Sequence, residues 1–185
     1  DISERKQAEE RRRLLQTVAA ALSQAMTQEE VTKIALEQGI AGLGATGGTI
    51  AILTQDQSHL QIIGTLGYPK QVTDKWAKFP LDHPTAPIAL AMREQRHLWL
   101  GSPEERAQIL PMMPDLTQEE RHQAWAVLPF IVNEDLIGAI GLGFDHPRNF
   151  DDAERAFLIT LTDYYAQALW RTMLTQRMAQ LATAE

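Results

Sequence analysis

A chain of 185 residues, 44% hydrophobic and 22% charged, has the size and composition of one globular domain and argues against disorder or a membrane-embedded fold. A formal net charge of −7 argues against the broad basic surface that nucleic acid or an anionic membrane requires. With no Cys, disulfides, thiolate nucleophiles, Cys-ligated zinc and thioether-attached cofactors are excluded.

No apolar run approaches the roughly 18 residues of a membrane span, and the charged N-terminus is unlike a signal peptide, so a cytoplasmic address without membrane insertion is expected. From Ser3 to Met26 there is no Gly or Pro, and Leu15, Val18, Leu22 and Ala25 recur at helical spacing. This predicts an N-terminal helix over residues 1–26. Its Arg11-Arg12-Arg13 run is flanked by Glu4, Glu9 and Glu10, which reads as a solvated face. Thr27-Gln28-Glu29-Glu30 is a capping box. The helix it opens should run to about Gly42, with Val31, Ile34 and Ala35 on its apolar side.

The period then shortens. Two β-rich runs, Thr49 to Thr54 and Leu60 to Leu66, flank the polar Gln55-Asp56-Gln57-Ser58 and predict a hairpin. Trp125 to Val132 and Leu136 to Phe144, around Asn133-Glu134-Asp135, predict a second one. This second pair is apolar at nearly every position, which predicts a sheet covered on both faces. Between the hairpins lies an irregular excursion, Gly67 to Gln123, with short helices expected after Ser102-Pro103-Glu104-Glu105 and after Thr117-Gln118-Glu119-Glu120. A last helix starts at Asp151 and is expected to span 151–185. Phe157, Leu158, Leu161, Tyr164, Tyr165, Ala168 and Leu169 crowd its first half. Trp170, Leu174, Met178 and Leu181 form a narrower stripe that suits a helix-helix seam.

Three stretches carry a family resemblance. "PLDHPTAPIALAMREQRHLWLG", "AWAVLPFIVNEDLIGAIGLGF" and "RNFDDAERAFLITLTDYYAQAL", in that order and with the hairpins so placed, resemble a GAF domain over roughly residues 14–170. The resemblance implies an α+β fold of GAF/PAS-like type: an antiparallel β-sheet with helices on both faces, long N- and C-terminal helices, and a pocket between sheet and excursion. It also implies a non-catalytic sensory or regulatory domain of a multidomain signal-transduction protein, with a sensor histidine kinase or other two-component protein as the expected parent. The expected partners are the output domain of the same polypeptide, reached through the last helix, and a second copy bound through the terminal helices. Leu15, Val18, Leu22, Trp170, Leu174, Met178 and Leu181 are the candidate dimer residues.

The family's sharper chemistries meet obstacles here. Covalent bilin attachment and reduction of free methionine sulfoxide both use Cys in this family, and there is none. The Asn-Lys, Phe and Asp-Glu pattern of its cyclic-nucleotide binders survives only in fragments, with Asn133-Glu134 and Glu154-Arg155 at the corresponding places. Among the five His residues, His83, His97, His122 and His146 lie beside turns or strand ends, where surface hydrogen bonding is their ordinary role, so no metal ligand is assigned. Asp82-His83 is the one acid-base pairing in view, and no nucleophile accompanies it.

The candidate ligand pocket takes Trp76, Phe79, Leu81, Asp82, Thr85, Ile88, Met92 and Trp99 from the excursion and Trp125, Leu128 and Phe130 from the sheet. Asp82 and Thr85 are the polar candidates, either orienting a ligand or capping the following helix. The same apolar residues would serve a dry core, the commoner role. The alternative reading is then a ligand-free dimerisation or interaction module, with a non-covalent haem or tetrapyrrole sensor, or the GAF domain of a cyclase or phosphatase, behind it. The ligand's identity is left open.

Overall fold

The computed structural model describes residues 1–110 and 122–184; the capping pattern at Thr117 to Glu120 lies outside the described residues. The two hairpins form as their patterns predict. In sequence order the strands are β1 (Gly47–Leu53), β2 (His59–Leu66), β3 (Lys78–Pro80), β4 (Leu98–Leu100), β5 (Ala124–Val132) and β6 (Asp135–Phe144). They make one antiparallel sheet in the order β3-β2-β1-β6-β5-β4. β5 and β6 are joined at Asn133 and Glu134, both at positive φ (52° and 71°), the backbone that matches strand twist in a two-residue hairpin turn.

Helices cover both faces. On one lie α1 (Ile2–Gln24), α2 (Gln28–Ile34), the short α3 (Ile40–Leu43) and α7 (Asp152–Ala184); α4 (Lys70–Lys75), α5 (Pro87–Glu94) and α6 (Pro103–Ile109) belong to the excursion. The caps read from sequence hold. The Glu30 amide donates to Thr27 Oγ1 (3.1 Å) while Glu30 Oε2 accepts from the Met26 amide (2.8 Å). The same reciprocal pattern starts α6, where Glu105 N donates to Ser102 Oγ and Gly101 N to Glu105 Oε2. Asp151 Oδ1 accepts from Glu154 N at the start of α7 (2.8 Å).

The helix expected to run unbroken to Gly42 does not. Between α2 and α3 the backbone opens into a π turn over Ala35–Gly39. There Gly39 faces the buried hydroxyl of Tyr165 from α7, which stands where a Cβ would project.

The sheet's two faces bury separate cores, sorted by the two-residue period of the strands. Ile50, Leu128, Phe130, Ile140 and Phe144 face α1, α2 and α7. Ala51, Trp125, Val127 and Ala139 face α5, together with Leu98 and Leu100 of β4. Packing of α1 on α7 corrects part of the expected dimer seam. Val18 and Leu22 are 0% and 4% exposed inside the monomer, and Arg171 of α7 donates to the carbonyls of Leu22 and Ala25 at the end of α1. Helical spacing marks an apolar face but not whether its cover comes from the same chain or another. Leu15 and Trp170 are half-buried against that core, whereas Leu174, Met178 and Leu181 stay exposed. Among the described residues no helix is long and apolar enough to cross a membrane.

Candidate functional site

One transverse row of the sheet makes the floor of the site. Register pairs Thr65 with Thr49, Thr49 with Gly141, Gly141 with Val127 and Val127 with Leu98. The middle of that row carries a hydroxyl, no side chain at all and a short branched one, so the floor is low there. An added Cβ at Gly141 would meet only Ile88, at 3.7 Å. Val72 and Thr73 of α4, then Trp76, Phe79 of β3, and Ala86 and Ile88 at the start of α5 bridge the hollow from above. Between them and the floor about 130 Å³ stays open, with Tyr68, Trp125 and Arg106 also on its walls.

The roof is held by a histidine. His83 Nδ1 accepts from the amides of Thr85 and Ala86, each at 3.1 Å, so it braces the chain just before α5. Its ring packs against Trp76 (4.8 Å between centroids) and Phe79 (6.1 Å). Arg93 clamps the same loop by donating to the carbonyls of Leu81 (2.8 Å) and His83 (2.9 Å). Burial, and then the charge of Arg93, lower the His83 pKa against a smaller opposing effect of Asp82. A neutral ring is what a two-fold acceptor requires. Asp82 and His83 are therefore not an acid-base dyad: Nδ1 is committed to two amides, and Asp82 is exposed.

Among the described residues that line the cavity, one is charged. Arg106 of α6 is 6% exposed and stacks its guanidinium 4.3 Å above the Trp125 ring. Lower on the same wall, Tyr68 packs against His122 (5.2 Å). His122 is itself buried, because the glycines Gly47 and Gly143 leave room for its ring on the sheet. This corrects the surface role expected for it. Among the described residues no three His, Asp or Glu side chains are grouped to hold a metal ion.

Of the predicted pocket residues, Trp76, Phe79, Ile88 and Trp125 line the cavity. Met92 and Leu81 pack into the same layer without reaching it. Asp82 and Thr85 neither line it nor supply a side-chain cap to α5, whose N-cap residue is Ala86 and which has none. Trp99, Leu128 and Phe130 are on the wrong face. Each is out of step by an odd number of residues with Leu98, in the core on the excursion side, or with the cavity-lining Trp125 and Val127, and Trp99 packs against Phe150 and Arg155 on the far side. Strand parity would have corrected those three and recovered Thr49, Val127 and Gly141. Nothing local to Arg106 or Tyr68 in the sequence points to the site.

The sequence model of the GAF domain family matches residues 25–169. Among solved structures, the chain is similar to the GAF domain of a Coxiella burnetii phosphoenolpyruvate-protein phosphotransferase (16% identity, TM-score 0.75, covering 92% of this chain and 98% of that one). It is also similar to a free methionine-R-sulfoxide reductase from Neisseria meningitidis (12% identity, TM-score 0.70, 89% and 91%). A third is a domain of a two-component sensor histidine kinase protein described as putative, from Sinorhizobium meliloti (15% identity, TM-score 0.62, 82% and 96%). At these identities the likeness shows the fold. No curated protein matches the chain.

Proposed function

The chain belongs to the GAF domain family, and on that premise we propose that it is a ligand-responsive, non-catalytic sensory domain of a two-component signalling protein. The observation that carries this reading is the cavity. Trp76 and Trp125 stand on its walls instead of filling it, and about 130 Å³ stays open between the excursion and the sheet. An apolar cavity of about 150 Å³ holds one benzene, so the space over Gly141 is comparable to the bulk of one small ring.

β5 supplies the link to output. Trp125 and Val127 face the cavity, and Leu128 and Phe130, on the other side of the same strand, belong to the core built with α7. An occupant that moves β5 against the cavity wall presses on α7, which leaves the domain with Leu174, Met178 and Leu181 exposed. In this account these three residues, with half-buried Trp170, seat a second copy, and the two α7 helices convey the response to an output domain of the same polypeptide. The response requires an occupant that prefers one arrangement of α7 over another. A lack of Cys leaves the chain without a thiol for redox chemistry, which supports a regulatory role over a reductase one.

A thermal-shift panel of compounds with about six to ten non-hydrogen atoms, neutral and charged, tests the reading. A binder present at 100 times its Kd stabilises by about 2.7 kcal/mol, worth roughly 5–10 °C for a domain of this size. If no compound moves the melting point and Gly141→Val raises it by filling the space, the cavity is a packing gap and the domain a ligand-free connector.

A further inference from the structure

Resting on the reading of the cavity as a ligand site, we propose that its occupant is an uncharged small molecule with an apolar body of one-ring bulk and a single hydroxyl or carbonyl oxygen, received by the paired hydroxyls of Thr49 and Thr65. The body, the lack of charge and the place of the oxygen follow from different residues.

The body follows from the walls. Val72, Trp76, Phe79, Ile88 and Val127 stand around the bare Gly141, a lining that rewards burial of apolar surface. The open space of about 130 Å³ is comparable to the bulk of one small ring.

The lack of charge follows from Arg106. It is the one charged residue among the described residues that line the cavity, and its guanidinium is already engaged within the chain, on the Trp125 ring and in a further interaction. Tyr68, on the same wall, is engaged as well. A carboxylate or phosphate would have to compete for a cation that already has partners, and no carboxylate among the described lining residues awaits an ammonium. An ion taken from water without a partner is strongly disfavoured, whereas a neutral ring is not.

The place of the oxygen follows from the floor. Thr49 and Thr65 are cross-strand partners on β1 and β2, and both are half-buried and line the cavity. Thr73, the third threonine on the walls, donates its hydroxyl to the Lys70 carbonyl (2.9 Å); the hydroxyls of Thr49 and Thr65 have no such bond among the described residues. Directly opposed residues hold their Cβ atoms about 4.5–5.5 Å apart, so the two hydroxyls occupy one end of the floor. Each can donate and accept. An occupant that covered them and offered no oxygen would strip them of water and leave them unsatisfied, whereas one hydroxyl or carbonyl restores the bond. The ring would lie over Gly141 with its oxygen turned toward β1 and β2.

Phenol is the probe, with toluene as its apolar companion of the same shape and benzoate and benzylammonium as charged ones, and calorimetry gives each affinity. Phenol is expected to bind the unmodified domain no more weakly than toluene and about tenfold more tightly than either ion. Thr49→Val combined with Thr65→Val keeps the side-chain shapes and suits the strands; it should weaken phenol about tenfold and leave toluene no weaker. Either ion binding as tightly as phenol would overturn the uncharged class and leave the cavity reading standing. Phenol binding about tenfold more weakly than toluene, or unchanged by the double substitution, would overturn recognition by the two hydroxyls. If phenol, toluene and both ions all fail to bind, the cavity reading itself fails and this inference with it. The comparisons on the unmodified domain decide the matter even if the threonine variant folds poorly.

Discussion

Replacing Tyr165 by Phe should stabilise the domain. The Tyr165 side chain is 2% exposed, and its hydroxyl has no hydrogen-bond partner among the described residues. Burial pushes its pKa up, so it stays a neutral hydroxyl in an apolar place. A buried hydroxyl left unsatisfied costs about 1–3 kcal/mol. The one-atom gap in the Phe variant offsets part of that gain, leaving about 1 kcal/mol, or a rise of roughly 2–4 °C in Tm. Gly39 provides the second arm. A Cβ there would lie 1.9 Å from the Tyr165 hydroxyl oxygen, but its next nearest atom, the ring Cζ, is 3.1 Å away. Gly39→Ala should therefore cost about 1–3 kcal/mol by overpacking, and about 1–2 kcal/mol less when residue 165 is Phe. Urea denaturation of the four proteins gives the cycle. Loss of more than about 1 kcal/mol in Tyr165→Phe, or strict additivity with Gly39→Ala, would refute the contact and the unsatisfied hydroxyl together.

His83 makes stability depend on pH. Its folded pKa is lowered from 6.5 by burial and Arg93, so the unfolded chain binds the extra proton first; the stabilisation is complete above about 6.5 and declines as pH falls below it. Denaturation curves at pH 5 and 7.5 should show that loss, and His83→Asn, which keeps an acceptor without titrating, should shrink it; a residual slope is expected from His97, whose pKa burial also lowers. At the β5–β6 turn, Glu134 sits at φ 71°, where a side chain is strained by about 1 kcal/mol. Glu134→Gly should raise the urea midpoint, and an unchanged or lower midpoint would contradict the turn geometry. Leu174→Glu with Met178→Glu should shift sedimentation from dimer to monomer while leaving Tm within about 1 °C, because both side chains are exposed in the monomer. A dimer that persists removes the stripe from the account.

Much of the fold was legible because its signals are local. The capping boxes at Thr27 and Ser102 and the two hairpins declare themselves within a few residues each. The π turn was not legible. It ends at Gly39, which packs on Tyr165, 126 positions away in the sequence, and the apolar spacing of Val31, Ile34 and Ala35 continues as for an ordinary helix. The site was half legible. Aromatic content drew attention to Trp76, Phe79 and Trp125, but a cavity is defined by what is small, and Thr49 and Gly141 carry no hydrophobic signal. Leu128 and Phe130 look like pocket residues until the alternation of β5 is applied from Trp125, which sends them to the opposite core. Val18 and Leu22 failed for a different reason, since only the return of α7 reveals that their cover comes from within the chain.

Hydrogen exchange along α7, with and without a saturating cavity occupant found in the thermal-shift panel, tests the central claim most directly. Occupancy of a site that touches β5 but not α7 should change protection in the second half of α7, residues 170–184, as well as at the cavity wall, and Gly141→Val should abolish both changes. Protection altered only at the cavity wall, with α7 indifferent to the occupant, would contradict the account of this domain as a sensor.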